Sequence, residues 1–466
     1  MKTFFLVLGL LLVTYSHGQT MHSRLALAVK NMEKDEQFKH AIISLYVVDS
    51  KTGKVVFDKN SQIGLAPASC LKVVTSVSAF EMLGKGYKYK TELLAYGEIK
   101  DSVLNGYLEL KGYGDPTSGS WRYGNTAPSA LTGRWVNALL QKKIRTVTGE
   151  VLTNGLAFSF QSIPGGWVWE DVGNYYGAGA GALNWRENQF DLFLKAADNS
   201  GGSVSILGTV PANYGGPFLN ELKTGKKGSG DNAYVYLPAG NSWLVKGTIP
   251  AGEKNFKISG AIQDPETLLG EEFRKALDSA GISYKKKPES KKEVSFISQK
   301  NQVTLIDEYF SPMLDSINYW FLQKSVNLYG EAFVKTIAYE KTGFGDTDTG
   351  VNIIKDFWSK NGIESSTLNI KDGSGLSPAN RVTTNALVTV MQYAKKQDWF
   401  SSFYNALPEM NGIKMKSGYI GGVRSYTGYI KSKTGTEYSF SFIINNFDGN
   451  PGTVREKMWK LLDILK

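Results

Sequence analysis

Across 466 residues the chain has one cysteine, Cys70, and three histidines, His17, His22 and His40. One cysteine excludes an intrachain disulfide and any cysteine-based zinc or iron–sulfur centre. The histidines all lie in the first tenth of the sequence, which argues against a three-histidine metal site. A Ser-His-Asp hydrolase would have to draw its base from that short stretch. No segment approaches the 18 apolar residues of a membrane-spanning helix. Blocks of one charge are also scarce: 53 Lys+Arg against 43 Asp+Glu give a net +10, but the charges are mixed along the chain. Lys285-Lys286-Lys287 with Lys291-Lys292 is the one basic run, and it reads as a solvated loop. A nucleic-acid partner, which needs basic residues gathered on one face, is not expected.

Glycine is abundant, at 50 residues, and aromatics make up 12%, a pairing that favours strands and turns. The length implies two or three domains. Residues Met1–Gly18 read as a secretory leader: Lys2 is the charged start, Phe4–Val13 the hydrophobic stretch, and Ser16 and Gly18 the small residues before cleavage. The expected product is exported, periplasmic, and soluble or loosely membrane-associated, with no transmembrane anchor.

Along the chain, residues 22–39 read as a helix, His40–Val48 as a buried strand and Lys54–Phe57 as its return. A helix starts near Ser69 and stops at Gly84. From about 90 to 297 short alternating strands dominate, interrupted by helices at Ser129–Lys143 and Glu266–Ala280. After 300 come helices at Pro312–Leu322, Leu328–Tyr339, Gly350–Asn361 and Thr384–Lys396, then strands Tyr426–Ser432 and Tyr438–Asn445 and an amphipathic helix Val454–Leu465. The expected organisation is a leader (1–18), a discontinuous domain (19–90 with 298–466) and a β-rich insertion (91–297) of one or two nested subdomains.

Three motifs carry chemistry. Ser69-Cys70-Leu71-Lys72 is an S-x-x-K at a helix start, and the i, i+3 spacing puts Ser69 and Lys72 on one face. A lysine of ordinary pKa, about 10.4, is a poor base at neutral pH; burial and a second cation would favour its neutral form. Ser325-Val326-Asn327 is an S-x-N in a break between helices. There the Ser325 hydroxyl could relay a proton and Asn327 could hold Lys72 and a substrate amide. Lys433-Thr434-Gly435-Thr436 is a K-T-G between two late strands. It would supply the second cation and a carboxylate site (Lys433, Thr434), room for an extended substrate (Gly435) and an oxyanion donor (the Thr436 N–H). K-T-G also occurs at Lys51, Lys223 and Lys341, and a second S-x-x-K at Ser283, so the ordered set is informative where its parts are not. Cys70 is a rival nucleophile by its chemistry, but position i+1 points off the Ser/Lys face, and a buried structural thiol is expected.

In this order the motifs resemble those of the class C low-molecular-mass penicillin-binding proteins, D-alanyl-D-alanine carboxypeptidases/endopeptidases. Pro67–Lys72 resembles the family's PASTxK, Ser325–Glu331 its SDNLYAE, Asp372–Ser377 its DGSGLS and Ile430–Thr436 its AKTGT. The likeness covers essentially residues 40–466. It implies an α/β (α+β type) penicillin-binding/β-lactamase-like domain, an antiparallel sheet flanked by helices, interrupted by the insertion. It implies a cofactor-free, metal-free serine DD-peptidase acting on peptidoglycan stem peptides through Ser69, Lys72, Ser325, Asn327 and Lys433, with β-lactam antibiotics as inhibitors. The resemblance also places Asp171, in the inserted segment Trp169–Ala178, on a loop over the cleft. Pro378 stands where many relatives carry an arginine for a side-chain carboxylate, and Arg381 follows three residues later. An esterase or β-lactamase of the same superfamily, or a non-catalytic wall-binding scaffold, are the alternatives.

Overall fold

The computed structural model describes residues 20–239, 242–286 and 302–466. The leader and the basic run beyond Lys286 lie outside the described residues. Among those residues no helix is long and apolar enough to cross a membrane.

The two ends of the sequence build one sheet. Strand Ile42–Asp49 is buried from Ile43 to Val48, so both of its faces are covered. It pairs antiparallel with Val55–Lys59 on one side and with Glu437–Asn445 on the other, Leu45 opposite Phe442. The sheet continues through Val423–Lys431 and Ile413–Ile420 to the short edge strand Glu409–Met410. Strand periodicity of two splits the side chains between faces. Phe440, Phe442 and Ile444 meet the terminal helices Met21–Glu33 and Pro451–Leu462. Ile443, on the other face, packs with helix Thr384–Ala394 into the core that also gathers the helices Lys72–Leu83, Leu314–Gln323 and Asn327–Thr342.

The expected helix over 22–39 ends at Glu33. Asp35 then accepts from Gln37 N–H and starts a separate 3-10 turn, Glu36–Phe38, the local competition that short acidic side chains offer a helix. Strand Ile413–Ile420 was not expected at all.

The insertion has its own core around Trp135, Trp185, Phe190 and Phe273. Its main sheet opens with the hairpin Lys90–Lys100/Val103–Gly112, turned by Asp101 and Ser102 at positive φ. Strand Val303–Phe310 pairs with Lys90–Lys100, so this sheet runs past the expected boundary at 297. Two three-stranded sheets complete the region.

Candidate active site

Ser69 is half-buried in a 3-10 turn, Ala68–Leu71, that runs into helix Lys72–Leu83. The turn is held in an unusual backbone state: Ala68 is buried at φ 45°, a left-handed conformation that a non-glycine residue keeps only when its surroundings impose it. Gly375, at φ +82°, packs on it so closely that a methyl there would stand 2.0 Å from the Ala68 carbonyl oxygen.

Lys72 is fully buried. Its Nζ lies 3.0 Å from Ser69 Oγ, 2.6 Å from Asn327 Oδ1 and 2.7 Å from Ser374 O. The last two atoms can only accept hydrogen bonds. A neutral amine gives its two hydrogens to them and turns its lone pair to the Ser69 hydroxyl. Burial holds the Lys72 pKa well below the ordinary lysine value, the Lys416 charge adds to this, and Asp372, Glu331 and Cys70 oppose it.

Asn327 opens helix Asn327–Thr342. Its Nδ2 donates to Tyr176 O at 2.7 Å, which fixes the amide with its oxygen toward Lys72. Ser325 is half-buried in the break after Leu314–Gln323, at φ 55°. Asp372 is fully buried and gathers the N–H groups of Gly375 and Ser377, Asn380 Nδ2 and Trp167 Nε1. The loop it orders carries the Ser374 carbonyl that meets Lys72.

The far wall is the edge of strand Ile413–Ile420. A two-residue loop, Gly421-Gly422, makes Ile420 and Val423 the closing pair of a hairpin. In such hairpins the closing pair is hydrogen-bonded and alternate residues face outward. Residues 419, 417 and 415 therefore present their backbone groups on the outer side, where Met415 N–H donates to Pro408 O at 2.9 Å. By the same alternation the Tyr419 N–H points outward, and its neighbour Gly418 packs on the nucleophile turn, where a methyl would stand 2.8 Å from the Ser69 amide nitrogen. Lys416 is buried, its pKa pushed down to about 8 by that burial, and its Nζ donates to Ser417 O at 2.9 Å.

Lys416-Ser417-Gly418 thus stands where the chemistry assigned to Lys433-Thr434-Gly435 is needed. The structure does not bring Lys433, Thr434, Gly435 or Thr436 to Ser69. They form the turn between Val423–Lys431 and Glu437–Asn445. Lys433 is exposed and its N–H donates to Lys466 O. Thr434 Oγ1 lies 2.9 Å from Ser432 Oγ, the Thr436 N–H is taken by Ser432 Oγ at 3.0 Å, and Gly435 has φ +88°. Six residues of strand, about 20 Å at 3.3 Å each, separate Lys431 from Ser425, which lies against Gly418 and the nucleophile turn. The physical reason is turn chemistry: a lysine, a hydroxyl residue and a glycine suit a tight connection as well as a site. A search allowing serine in the middle position would have found Lys416.

Asp171 sits on the short helix Trp169–Val172, half-buried, accepting from Tyr176 Oη at 3.2 Å; burial raises its pKa. Its loop reaches the site through the Asn327 and Trp167 hydrogen bonds. Arg381 is exposed, and its Nη1 donates to the carbonyls of Pro378 and Asn380 in its own loop. Cys70 is fully buried, with Sγ 3.2 Å from Lys416 O and its pKa raised by burial. Ser283 of the second S-x-x-K bonds to Thr146 within the insertion.

Known proteins resemble the chain in sequence and in fold. A D-alanyl-D-alanine carboxypeptidase of an Actinomadura species is 26% identical over 462 residues, 89% of this chain and 80% of its own. The carboxypeptidase DacB of Haemophilus influenzae is 24% identical over 422 residues, 84% of this chain and 83% of its own. The crystal structure of penicillin binding protein 4 from H. influenzae matches with a TM-score of 0.76 at 20% identity, over 94% of this chain and 97% of that one; its complex with a novel β-lactam gives 0.72. Residues 25–464 match the model of the D-Ala-D-Ala carboxypeptidase 3 (S13) family as a whole, and the chain belongs to that family.

Proposed function

We propose that the protein is a serine DD-peptidase that cleaves D-alanyl bonds of peptidoglycan stem peptides through a Ser69 acyl-enzyme. The observation that carries this is the buried Lys72 amine, 3.0 Å from Ser69 Oγ and held by two acceptor oxygens.

Lys72 takes the Ser69 proton as Oγ attacks the carbonyl carbon of the penultimate D-Ala. The tetrahedral oxyanion lies between the Ser69 and Tyr419 N–H groups, preorganised donors of the kind that contribute most to acyl transfer. Lys416 and Ser417 hold the carboxylate of the terminal residue, as a charge-assisted contact. The proton passes from Lys72 by way of Ser325 to the leaving amine, and the C–N bond breaks. That amine is D-Ala in carboxypeptidase action or a cross-linked peptide in endopeptidase action. Water then attacks the ester, gives its proton to Lys72, and Ser69 is released. Asp171 faces the substrate's side chain from the loop above. β-Lactams acylate the same serine, a reading supported by the β-lactam complex of the related H. influenzae protein. Export to the periplasm rests on the leader sequence Met1–Gly18.

The test is labelling with a fluorescent penicillin together with mass spectrometry of muropeptides before and after digestion. Label on Ser69 and release of D-Ala or cleaved cross-links are expected. Equal labelling of Ser69→Ala would overturn the assignment. Ester and β-lactam turnover without muropeptide change would favour the esterase or β-lactamase alternative.

A further inference from the structure

One buried cation has no part in this chemistry. Helix Asn327–Thr342 carries Asn327, Glu331 and Lys335 at i, i+4 and i+8, a single polar seam on its buried face. Asn327 meets Lys72 and the Tyr176 carbonyl. Glu331 Oε2 accepts the Gly373 N–H at 3.0 Å. Lys335, fully buried, donates to Gln161 O at 2.7 Å and Ala180 O at 2.9 Å, with Ser159 O at 3.5 Å.

Those acceptors are not scattered. Ala180 N–H donates to Ser162 O at 3.1 Å, and a methyl on Gly179 would stand 2.4 Å from the same oxygen. The chain leaves at Gln161 and returns at Ala180 in backbone contact, forming a neck. The lobe beyond it holds Trp167, which reaches Asp372, Tyr176, whose carbonyl orients Asn327, and Asp171, which accepts from the Tyr176 hydroxyl. Its outer side is held by the insertion, where Asn174 Oδ1 accepts Val235 N–H and Gly173 O accepts Ala261 N–H. Its neck is held to the catalytic helix by Lys335.

We propose that Lys335 is a positioning residue: its ammonium clamps the neck of loop 162–180 and so fixes the wall against which the substrate's side chain lies. This rests on the DD-peptidase reading for its effect on turnover, though not for the clamp itself. A lysine is costly to bury, and a methionine would fill the space. What the ammonium adds is a donor to two carbonyls that would otherwise lack one. Burial lowers its pKa to about 8, with Glu331 and Asp346 opposing, so it remains largely cationic at neutral pH.

The clamp lies two helical turns from Asn327, and Lys72 keeps the Ser374 carbonyl without it. Lys335→Met is therefore expected to separate two activities of the full-length protein. Stem-peptide kcat/KM should fall by about 10- to 100-fold, mainly through KM, as misplaced substrate contacts do. β-Lactam acylation should fall less than stem-peptide turnover, by no more than about tenfold, since Lys72 keeps the Ser374 carbonyl while the Asn327 amide, oriented by Tyr176 in the same loop, loosens. Hydrogen–deuterium exchange should quicken in 162–180 while helix 327–342 keeps its protection. A proportional fall of both activities, or unchanged exchange in the loop, would overturn the proposal. If Lys335→Met does not fold, exchange on the wild-type protein decides. The loop is expected to be protected like the helix it is clamped to, and free exchange there refutes the clamp. Were the wild-type protein to release nothing from muropeptides, the activity reading would fail while the exchange result still judged the clamp.

Discussion

A methyl group on Gly418 would stand 2.8 Å from the Ser69 amide nitrogen and 2.6 Å from the Pro67 carbonyl oxygen. Strand and nucleophile turn are thus in backbone contact, and in the mechanism proposed above that contact spaces the two oxyanion donors, the Ser69 and Tyr419 N–H groups. Gly418→Ala must push them apart. Acylation by penicillin should slow on the order of 100-fold, the loss typical of a displaced oxyanion donor. Overpacking should also lower stability by about 1–3 kcal/mol. Time courses of penicillin labelling, read beside thermal melts, check both. An unchanged labelling rate would mean the strand does not shape the oxyanion site.

Lys416 and Lys433 make opposite predictions. Lys416→Met removes a buried cation, the one to which the proposed mechanism gives the substrate carboxylate. Loss of a hydrogen bond to a charged group, about 1.5–3 kcal/mol, corresponds to a fall of roughly 10- to 150-fold in kcat/KM for stem peptides. Lys433→Ala removes an exposed turn residue and should change kcat/KM less than about twofold, as surface substitutions usually do. Steady-state kinetics on one D-Ala-D-Ala peptide compares them, and a large loss in Lys433→Ala would return the site to the turn.

The pH profile carries a sign. Acylation needs neutral Lys72, so its rate should rise with pH through the depressed Lys72 pKa. Burial is the main cause of that depression and the Lys416 charge the second. Lys416→Met removes the second cause, raises the Lys72 pKa, and should move the acid limb to higher pH. Second-order acylation rates against pH measure this; a limb that stays put or moves down contradicts the coupling. Stability follows the same logic. Lys416 titrates at about 8 when folded against 10.5 for the free side chain. The unfolded state binds the extra proton between those values, so wild-type stability should gain on Lys416→Met as pH rises through that window.

Much of this was legible because local and global signals agree. The i, i+3 spacing of Ser69 and Lys72, the apolar run IISLYVV and the amphipathic C-terminal helix each read as one thing and fold as it. Strand Ile413–Ile420 was not legible. Its sequence IKMKSGYI alternates lysine with apolar residues, as a half-solvated strand would, yet Lys416 is only 2% exposed. A charge is buried there because a site is built around it, and functional sites are where local rules break. Lys433-Thr434-Gly435 misled for the complementary reason: its letters match a motif while its physics is a turn, with Gly435 supplying positive φ. The neck at Gln161 and Ala180 had no sequence signal, because Lys335 recognises carbonyls rather than side chains.

Cys70 gives the last test. It adjoins the nucleophile in sequence, is 0% exposed, and its Sγ lies against the Lys416 carbonyl with its pKa raised by burial. A thiol in that state is a poor nucleophile, because the thiolate is the reactive form. The folded protein should not react with a thiol reagent such as dithionitrobenzoate, while the denatured chain should give one equivalent. Cys70→Ala should keep penicillin labelling, with a modest stability loss of about 1 kcal/mol from the vacated sulfur. Rapid modification of the folded enzyme, or loss of labelling in Cys70→Ala with its melting curve intact, would place the thiol in the chemistry and require a different role for Ser69.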